Sequence, residues 1–169
     1  MTGIMISSLI VALLLTAAGP AKATPPAAPA FSQADRTAAF RAAGFTLRSG
    51  KWQGCGDPGT MSYTPGAIDQ IADLNGDGLP EALISEGSSY CFGASGEGYW
   101  LVSKRATGGW VLIDSGQGIA RFLKTRGIGN WPDMQVGGPG FCFPVLRWNG
   151  RAFAINRYEY EGKRCRPRQ

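Results

Sequence analysis

The sequence predicts a mainly β (α+β) domain in which two antiparallel units, each of three to four strands, pack together with one short N-terminal helix. From Phe45 onward, apolar runs are brief and are bounded by Gly, Pro, Asn and Asp, which is typical of short strands joined by tight turns. A faint internal repeat relates residues 78–84 to residues 130–136, because each segment contains a proline, an acid and an apolar strand. Two such units can bury each other's apolar faces, whereas one alone could not. Two units are too few to complete a propeller.

The N-terminal residues 1–23 have the pattern of a secretory signal peptide. An almost unbroken apolar run covers residues 4–18, which is short of the roughly 20 residues that span a bilayer. A small-x-small cleavage pattern follows at residues 21–23. Since no Lys or Arg precedes the apolar run, an uncleaved anchor is the alternative. We expect a Pro/Ala-rich linker at 24–30 and a single disulfide-bonded β-rich domain at 31–169.

A helix is predicted directly after the linker. Ser32 is placed as its N-cap with Asp35 three residues later, and Gly44 ends the helix. Its alanine-rich face and Phe40 are expected to pack on a sheet. The candidate strands follow at residues 67–72, 81–86, 98–104, 110–114, 133–136, 142–148 and 152–160.

The sequence predicts some of the connections between these strands more clearly than others. Asn149-Gly150 suits a two-residue hairpin, and so does the Gly108-Gly109 pair. Residues 119–125 fit either a helix or a strand. The Gly/Ser-rich residues 87–98 form an insertion that lengthens the first unit and could serve as a recognition loop.

Four cysteines, Cys55, Cys91, Cys142 and Cys165, lie after the predicted cleavage site. An even number in an exported chain favours two disulfides over a zinc site, which would need four scattered thiolates. Three pairings are open. We favour Cys55 with Cys91 and Cys142 with Cys165, because each bridge then staples one half of the chain.

The charged residues exclude several functions. Removal of Lys22 with the signal leaves 16 basic and 12 acidic side chains, a net charge near +4, which lacks the dense basic stripe of a nucleic-acid binder. The basic tail after Gly162 could contact anionic envelope polymers or be a solvated end. The chain has no histidine, so it contains no Ser-His-Asp or Cys-His catalytic pair and no His-based metal centre.

One stretch, "DLNGDGLPE" at residues 73–81, has the oxygen spacing of a calcium loop. Such loops take side-chain oxygens from positions 1, 3, 5 and 9, a carbonyl oxygen from position 7, and a glycine at position 6. The ligands predicted for Ca²⁺ are Asp73, Asn75, Asp77, the Leu79 carbonyl and Glu81, with Gly78 at the turn. Position 12 is Ile84, so the loop is not an EF-hand. The alternative is a plain Asn-Gly/Asp-Gly turn with solvated acids.

This loop resembles the Asp-x-Asn-x-Asp-Gly-x-x-Glu calcium loops of FG-GAP and VCBS repeats, the blades of integrin-α-type propellers. Residues 31–165 are also similar to small exported proteins of Gram-negative bacteria, most of them uncharacterised. The resemblance implies structural calcium and a periplasmic or secreted location, and it implies no reaction. At the corresponding place in the second unit, Asp133 has no preceding acids and gives at best a degenerate site.

Aromatic residues supply the candidate partner surface. Phe153 and Ile155 alternate along the last strand with Tyr158 and Tyr160. If the first pair faces the core, Tyr158 and Tyr160 form with Trp148 a surface for an envelope protein or glycan; packing against the helix is the alternative. The five tryptophans are expected mainly in the core.

Three functions remain for the chain. The favoured one is an exported, calcium-stabilised binding module that could inhibit an envelope enzyme. The alternative is an architectural envelope or adhesion protein. A hydrolase is the third, and its acids would come from Glu81, Glu86, Glu97, Asp114 and Asp133. We expect no enzyme, no nucleic-acid partner and no membrane span in the mature protein.

Overall fold

Eleven strands and two α-helices lie within residues 31–167, the part of the chain that this computed structural model describes. In chain order they are α1 (Gln33–Ala42), β1 (Thr46–Arg48), β2 (Lys51–Gln53), β3 (Thr64–Ala72), β4 (Glu81–Gly87), α2 (Ser89–Phe92), β5 (Glu97–Lys104), β6 (Trp110–Gln117), β7 (Ile119–Arg126), β8 (Pro132–Gly137), β9 (Phe143–Trp148), β10 (Phe153–Tyr160) and β11 (Lys163–Arg164). Short 3₁₀ turns follow at Gly93–Ser95 and Ile128–Asn130. The predicted signal peptide and linker lie outside the described residues.

The strands form two antiparallel meanders, as the internal repeat predicts. The first sheet has the order β3-β4-β5-β6 and the second has β11-β10-β9-β8-β7, while β1 and β2 form a separate hairpin. The mainly β fold with two packed units is therefore confirmed, and it is not a closed propeller. Residues 119–125, which the sequence left open, belong to strand β7.

An apolar layer lies between the two sheets, because alternate residues of each strand point toward the other sheet. The first sheet contributes Leu83 and Leu101, and the second contributes Met134 and Phe153. Trp131 and Trp148 lie at one end of this layer with ring centroids 5.6 Å apart. The tryptophans of the second unit are thus mostly core, as expected.

The opposite face of the first sheet is covered by helix α1. The Ser32 side chain accepts the Asp35 amide hydrogen bond at 3.0 Å, which confirms the predicted N-cap. Phe40 is fully buried and stacks on Trp52 of the β1–β2 hairpin at 4.7 Å. A salt bridge from Lys104 to Asp35 at 2.7 Å fastens the first helical turn to the sheet.

Both disulfides have the pairing favoured above. Cys55 is bonded to Cys91, and Cys142 to Cys165. Together they indicate an oxidising environment outside the cytoplasm. Among the described residues, no helix is long and apolar enough to cross a membrane.

Three local features differ from the sequence analysis. Helix α2 lies inside the Gly/Ser-rich insertion, where the Ser88 hydroxyl accepts the Cys91 amide hydrogen bond at 3.0 Å. The short strands β1, β2 and β11 were not foreseen. Ile155, which the sequence analysis grouped with Phe153 as a possible core pair, is 58% exposed, and a β-bulge follows it between Ile155 and Arg157.

Candidate metal centre and partner surface

The predicted calcium loop connects β3 to β4 and closes on its own backbone. Asp73 lies at its start, and its Oδ1 accepts hydrogen bonds from the Gly76 amide at 2.7 Å and the Asp77 amide at 3.1 Å. Its Oδ2 accepts from the Gly78 amide at 2.9 Å. Both loop glycines have φ of +83°, which only glycine adopts without strain. The sequence therefore fixes a tight bend around the Asp73 carboxylate.

The next two predicted ligands lie on the outer side of this bend. Asn75 Oδ1 accepts from the Asp77 amide at 2.8 Å, and Asp77 Oδ1 accepts from the Leu79 amide at 2.8 Å. The Asn75 side-chain amide donates to Asp77 Oδ2 at 3.1 Å. These contacts order the loop, and a plain acidic turn would make them as well.

Glu81, the last predicted ligand, is 0% exposed at the start of β4. Its carboxylate accepts one hydrogen bond from the Leu74 amide and one from the Ser103 hydroxyl, both at 2.8 Å. Burial raises the pKa of Glu81, and the nearby charges of Asp77 and Asp73 oppose its ionisation further. No Lys or Arg of residues 31–167 forms a salt bridge with it. A buried carboxylate with only neutral donors is left without a counter-charge.

Asp133 occupies the corresponding place in the second unit and is also 0% exposed. Its two oxygens accept from Arg147 Nε and Nη2, both at 2.8 Å, and from Arg157 Nη1 at 2.6 Å. The Thr125 hydroxyl adds a hydrogen bond at 2.6 Å. Although desolvation acts in the other direction, these donors hold the pKa of Asp133 well below its usual range. Asp133 in the second unit thus has two arginine partners, whereas Glu81 at the matching place of the first unit has no cationic partner within residues 31–167.

The two matching loops also contact each other. Arg126 Nη1 donates to the Leu74 carbonyl at 2.8 Å and to the Asn130 carbonyl at 2.6 Å. The Asn130 side chain donates to the Asn75 carbonyl at 3.0 Å. Sequence reasoning missed Arg126, Asn130 and the two arginines that bind Asp133, and the only signal for those two arginines was their place on the strands of the repeat.

Whether the loop at residues 73–81 can bind a metal ion depends on the oxygen ligands that it offers. Within residues 31–167, no group of three or more His, Cys, Asp or Glu side chains is arranged to hold a metal ion, so the loop carboxylates do not converge by themselves. The predicted set is all oxygen and includes the Asn75 amide and Leu79 carbonyl, which suits Ca²⁺. Binding requires the Asn75 and Asp77 side chains to exchange their mutual hydrogen bond for the ion. The residues fit calcium in chemistry and in charge.

Of the five acids considered for a hydrolase, several have structural partners. Glu86 is buried and accepts from the Gly54 and Cys55 amides at 3.0 and 2.8 Å. Asp114 accepts from the Tyr99 hydroxyl at 2.8 Å. Glu97 lies in an open groove between the sheets, where desolvation and the charge of Asp69 raise its pKa. None of the other four acids lines the groove that Glu97 lines.

Acid stability should depend on Asp57, which anchors the segment before β3. Although desolvation acts in the other direction, hydrogen bonds from Ser88, Thr60 and Gly59 lower its pKa to about 2. A lowered folded pKa contributes stability above the unfolded value near 4, and this contribution is lost as pH falls through about 2. In urea unfolding between pH 2 and 5, Asp57→Asn is expected to show a shallower rise of stability with pH than wild type. If unfolding free energy rises equally with pH in Asp57→Asn and in wild type, Asp57 does not have this role.

The predicted partner surface is only partly brought together. Trp148 pairs with Phe153 at one end of β10, whereas Tyr158 pairs with Pro144 toward the other end. Trp148 packs at the edge of the inter-sheet core and does not join Tyr158 and Tyr160. Six residues of strand lie between Phe153 and Tyr160, so the structure does not bring Trp148 together with Tyr158 and Tyr160.

Phe141, and not Trp148, is an aromatic neighbour of Tyr160. Phe141, in the β8–β9 loop, is 76% exposed and meets the Tyr160 ring edge-on at 5.1 Å. The Cys142–Cys165 bridge holds this loop against the C-terminal segment.

No family model, curated protein or solved structure matches the chain.

Proposed function

We propose that the chain is an exported binding module of the bacterial envelope, whose β3–β4 loop is stabilised by a structural Ca²⁺ ion. The calcium role is supported chiefly by the contrast between Glu81 and Asp133. Both are buried acids at matching places of the repeat, but only Asp133 has arginine partners. A buried charge without a counter-charge is costly, and an external cation supplies what the first unit lacks.

The location is supported by the signal-like residues 1–23 and by the two disulfides. Bridges of this kind persist in oxidising compartments, where free calcium is also high enough for a weak site. A periplasmic or secreted protein fits both features.

The binding role is supported by the exposed Phe141 and its basic surroundings. Phe141 and Tyr160 form an aromatic pair rimmed by charged residues, and exposed apolar patches with a polar rim are typical of interaction sites. The proposal assigns no reaction to the chain, since four of the five candidate acids make hydrogen bonds that hold the fold. Inhibition of an envelope enzyme is one form that such binding could take.

Calcium is expected to raise the thermal stability of the protein. For a dissociation constant of roughly 0.1 to 1 mM, 5 mM calcium stabilises by about 1 to 2 kcal/mol, which is a few degrees in melting temperature. Asp77→Ala should abolish the difference between calcium and chelator. Differential scanning calorimetry measures the melting temperatures of wild type and Asp77→Ala with calcium and with chelator.

The matched control is Asp69→Ala, which removes an exposed acid from β3 and should keep the full calcium response. Glu81→Gln should lose the response while remaining as stable as wild type in chelator, because it removes the uncompensated charge. Identical melting curves for wild type with calcium and with chelator would refute the proposal.

A further inference from the structure

A compact group of aromatic and basic side chains lies at the end of the sheets opposite to the calcium loop. Phe141 is 76% exposed, and Tyr160 contacts both Phe141 and Phe143 at 5.1 and 6.1 Å. The β8–β9 loop and the β10–β11 turn lie at one end of the second sheet, whereas the β7–β8 loop that contacts the calcium loop lies at the other.

Three exposed cations lie near this aromatic pair in the C-terminal segment. Lys163 and Arg164 form β11; Lys163 lies opposite Tyr160, on the same face of the ladder as its ring, and Arg164 lies opposite Glu159 on the other face. Arg166 lines the same shallow pocket as Phe141 and Tyr160. None of the three forms a salt bridge within residues 31–167. With exposed Glu161 counted against them, three positive charges and one negative give the region a net charge of +2.

The Cys142–Cys165 bridge explains why this group stays assembled. It joins the residue after Phe141 to the residue between Arg164 and Arg166, and the Cys165 amide donates to the Tyr158 carbonyl at 3.1 Å. The Phe141 ring is therefore held against Tyr160 while most of its surface remains in water. We call this group, Phe141, Tyr160, Lys163, Arg164 and Arg166, the aromatic–basic patch.

We propose that the aromatic–basic patch docks the protein on an anionic lipid surface, with Phe141 in the interfacial layer and the three cations against lipid phosphates. The proposal deepens the binding role proposed above and rests on it. Arginine pairs well with phosphate oxygens, and each Lys or Arg near an anionic surface strengthens binding about fivefold. Aromatic rings favour the membrane–water interface.

The exposed ring is what favours a lipid surface over a soluble anionic polymer. A polymer pairs with the cations and leaves Phe141 in water, whereas the interface removes the ring from water. The net charge of +2 is too small to bind a polyanion tightly by charge alone. Apolar and charged contributions together suit a peripheral, reversible attachment.

The test is vesicle co-sedimentation of the chain that lacks residues 1–23, which keeps every described residue and removes the apolar N-terminal run. Vesicles of phosphatidylglycerol and phosphatidylcholine are compared with phosphatidylcholine alone, with calcium and with chelator. Wild type is expected to bind the anionic vesicles at least tenfold more tightly. Lys163→Gln with Arg166→Gln should weaken this binding about 25-fold, and Phe141→Ser about fivefold.

The β1–β2 hairpin provides a matched control, because Leu47 is 57% exposed beside Arg48 and Lys51. Leu47→Ser and the pair Arg48→Gln with Lys51→Gln should leave vesicle binding unchanged. Equal binding to neutral vesicles, equal losses in the hairpin variants, or no effect of Phe141→Ser would each overturn the proposal. The last result would point to a polyanion partner.

This test separates the two proposals. If vesicle binding is absent while calcium still raises the melting temperature, the docking surface is wrong and the calcium-stabilised fold stands. If vesicle binding persists with no calcium effect on melting, the docking surface stands and the metal centre is wrong.

Discussion

Replacing Arg157 by methionine is expected to lower the free energy of unfolding by about 3 to 5 kcal/mol, because it leaves Asp133 and Glu159 short of a buried counter-charge. Arg157 donates to Asp133 at 2.6 Å and to the Thr125 hydroxyl at 3.0 Å, and its side chain is only 8% exposed. Methionine keeps most of the side-chain volume, so the loss of unfolding free energy measures the contribution of the charge and hydrogen bonds of Arg157. Urea unfolding at pH 7 measures it.

The matched control is Arg151→Met in the exposed β9–β10 turn, where a change within about 0.5 kcal/mol is expected. Combining Arg157→Met with Asp133→Asn should cost less than the sum of the two single changes, by about 1 to 3 kcal/mol. Additive losses would show that the two side chains are not energetically coupled.

Loss of the Cys55–Cys91 bridge is expected to cost about 4 kcal/mol, since it closes a loop of 36 residues in the unfolded chain. The bridge also holds the segment that the Glu86 carboxylate binds through the Gly54 and Cys55 amides. The double variant Cys55→Ala with Cys91→Ala should therefore unfold at lower denaturant concentration. Chemical unfolding under non-reducing conditions tests this.

Tyr90→Ala serves as the comparison, because Tyr90 is exposed beside Cys91 and makes no hydrogen bond that holds the segment. It should stay within about 0.5 kcal/mol of wild type. An unchanged midpoint in the cysteine variant would mean that the bridge adds nothing to stability.

Two units suffice for a stable domain because one outer face is covered and the other is charged. Helix α1 and the β1–β2 hairpin cover the first sheet, with Phe40 and Trp52 in contact. On the second sheet, the residues that face away from the core include Asp133 and Arg147, so this face is charged. A polar outer face stops further units from stacking, as in the end repeats of solenoid proteins.

The pattern of the sequence predicted most of the strands and the helix cap, because each depends on local spacing. The nine-residue loop at 73–81 was found for the same reason. The Ser32–Asp35 cap acts over three positions, and Asn149-Gly150 marks the β9–β10 turn, although this turn has four residues, 149–152, where a two-residue hairpin was expected. The disulfide pairing was favoured on another ground, that each bridge then staples one half of the chain.

What the sequence could not predict depends on contacts far apart in the chain. The Arg157–Asp133 pair spans 24 residues and the Arg126–Leu74 contact spans 52, so no local pattern announces them. The bulge between Ile155 and Arg157 inserts one residue and reverses the facing of the residues that follow it, which a strict alternation rule misses. Trp148 was separated from the tyrosines because it lies at the other end of the same hairpin.

The most direct test of the calcium account is isothermal titration calorimetry of the chelator-stripped protein with calcium. The account predicts one site with a dissociation constant of roughly 0.1 to 1 mM that disappears in Asp77→Ala and in Glu81→Gln. Asp133→Asn, although less stable, should bind calcium as wild type does, because its acid already has Arg147 and Arg157 as partners. No binding heat in the wild-type protein, or equal binding by Asp77→Ala, would contradict the account.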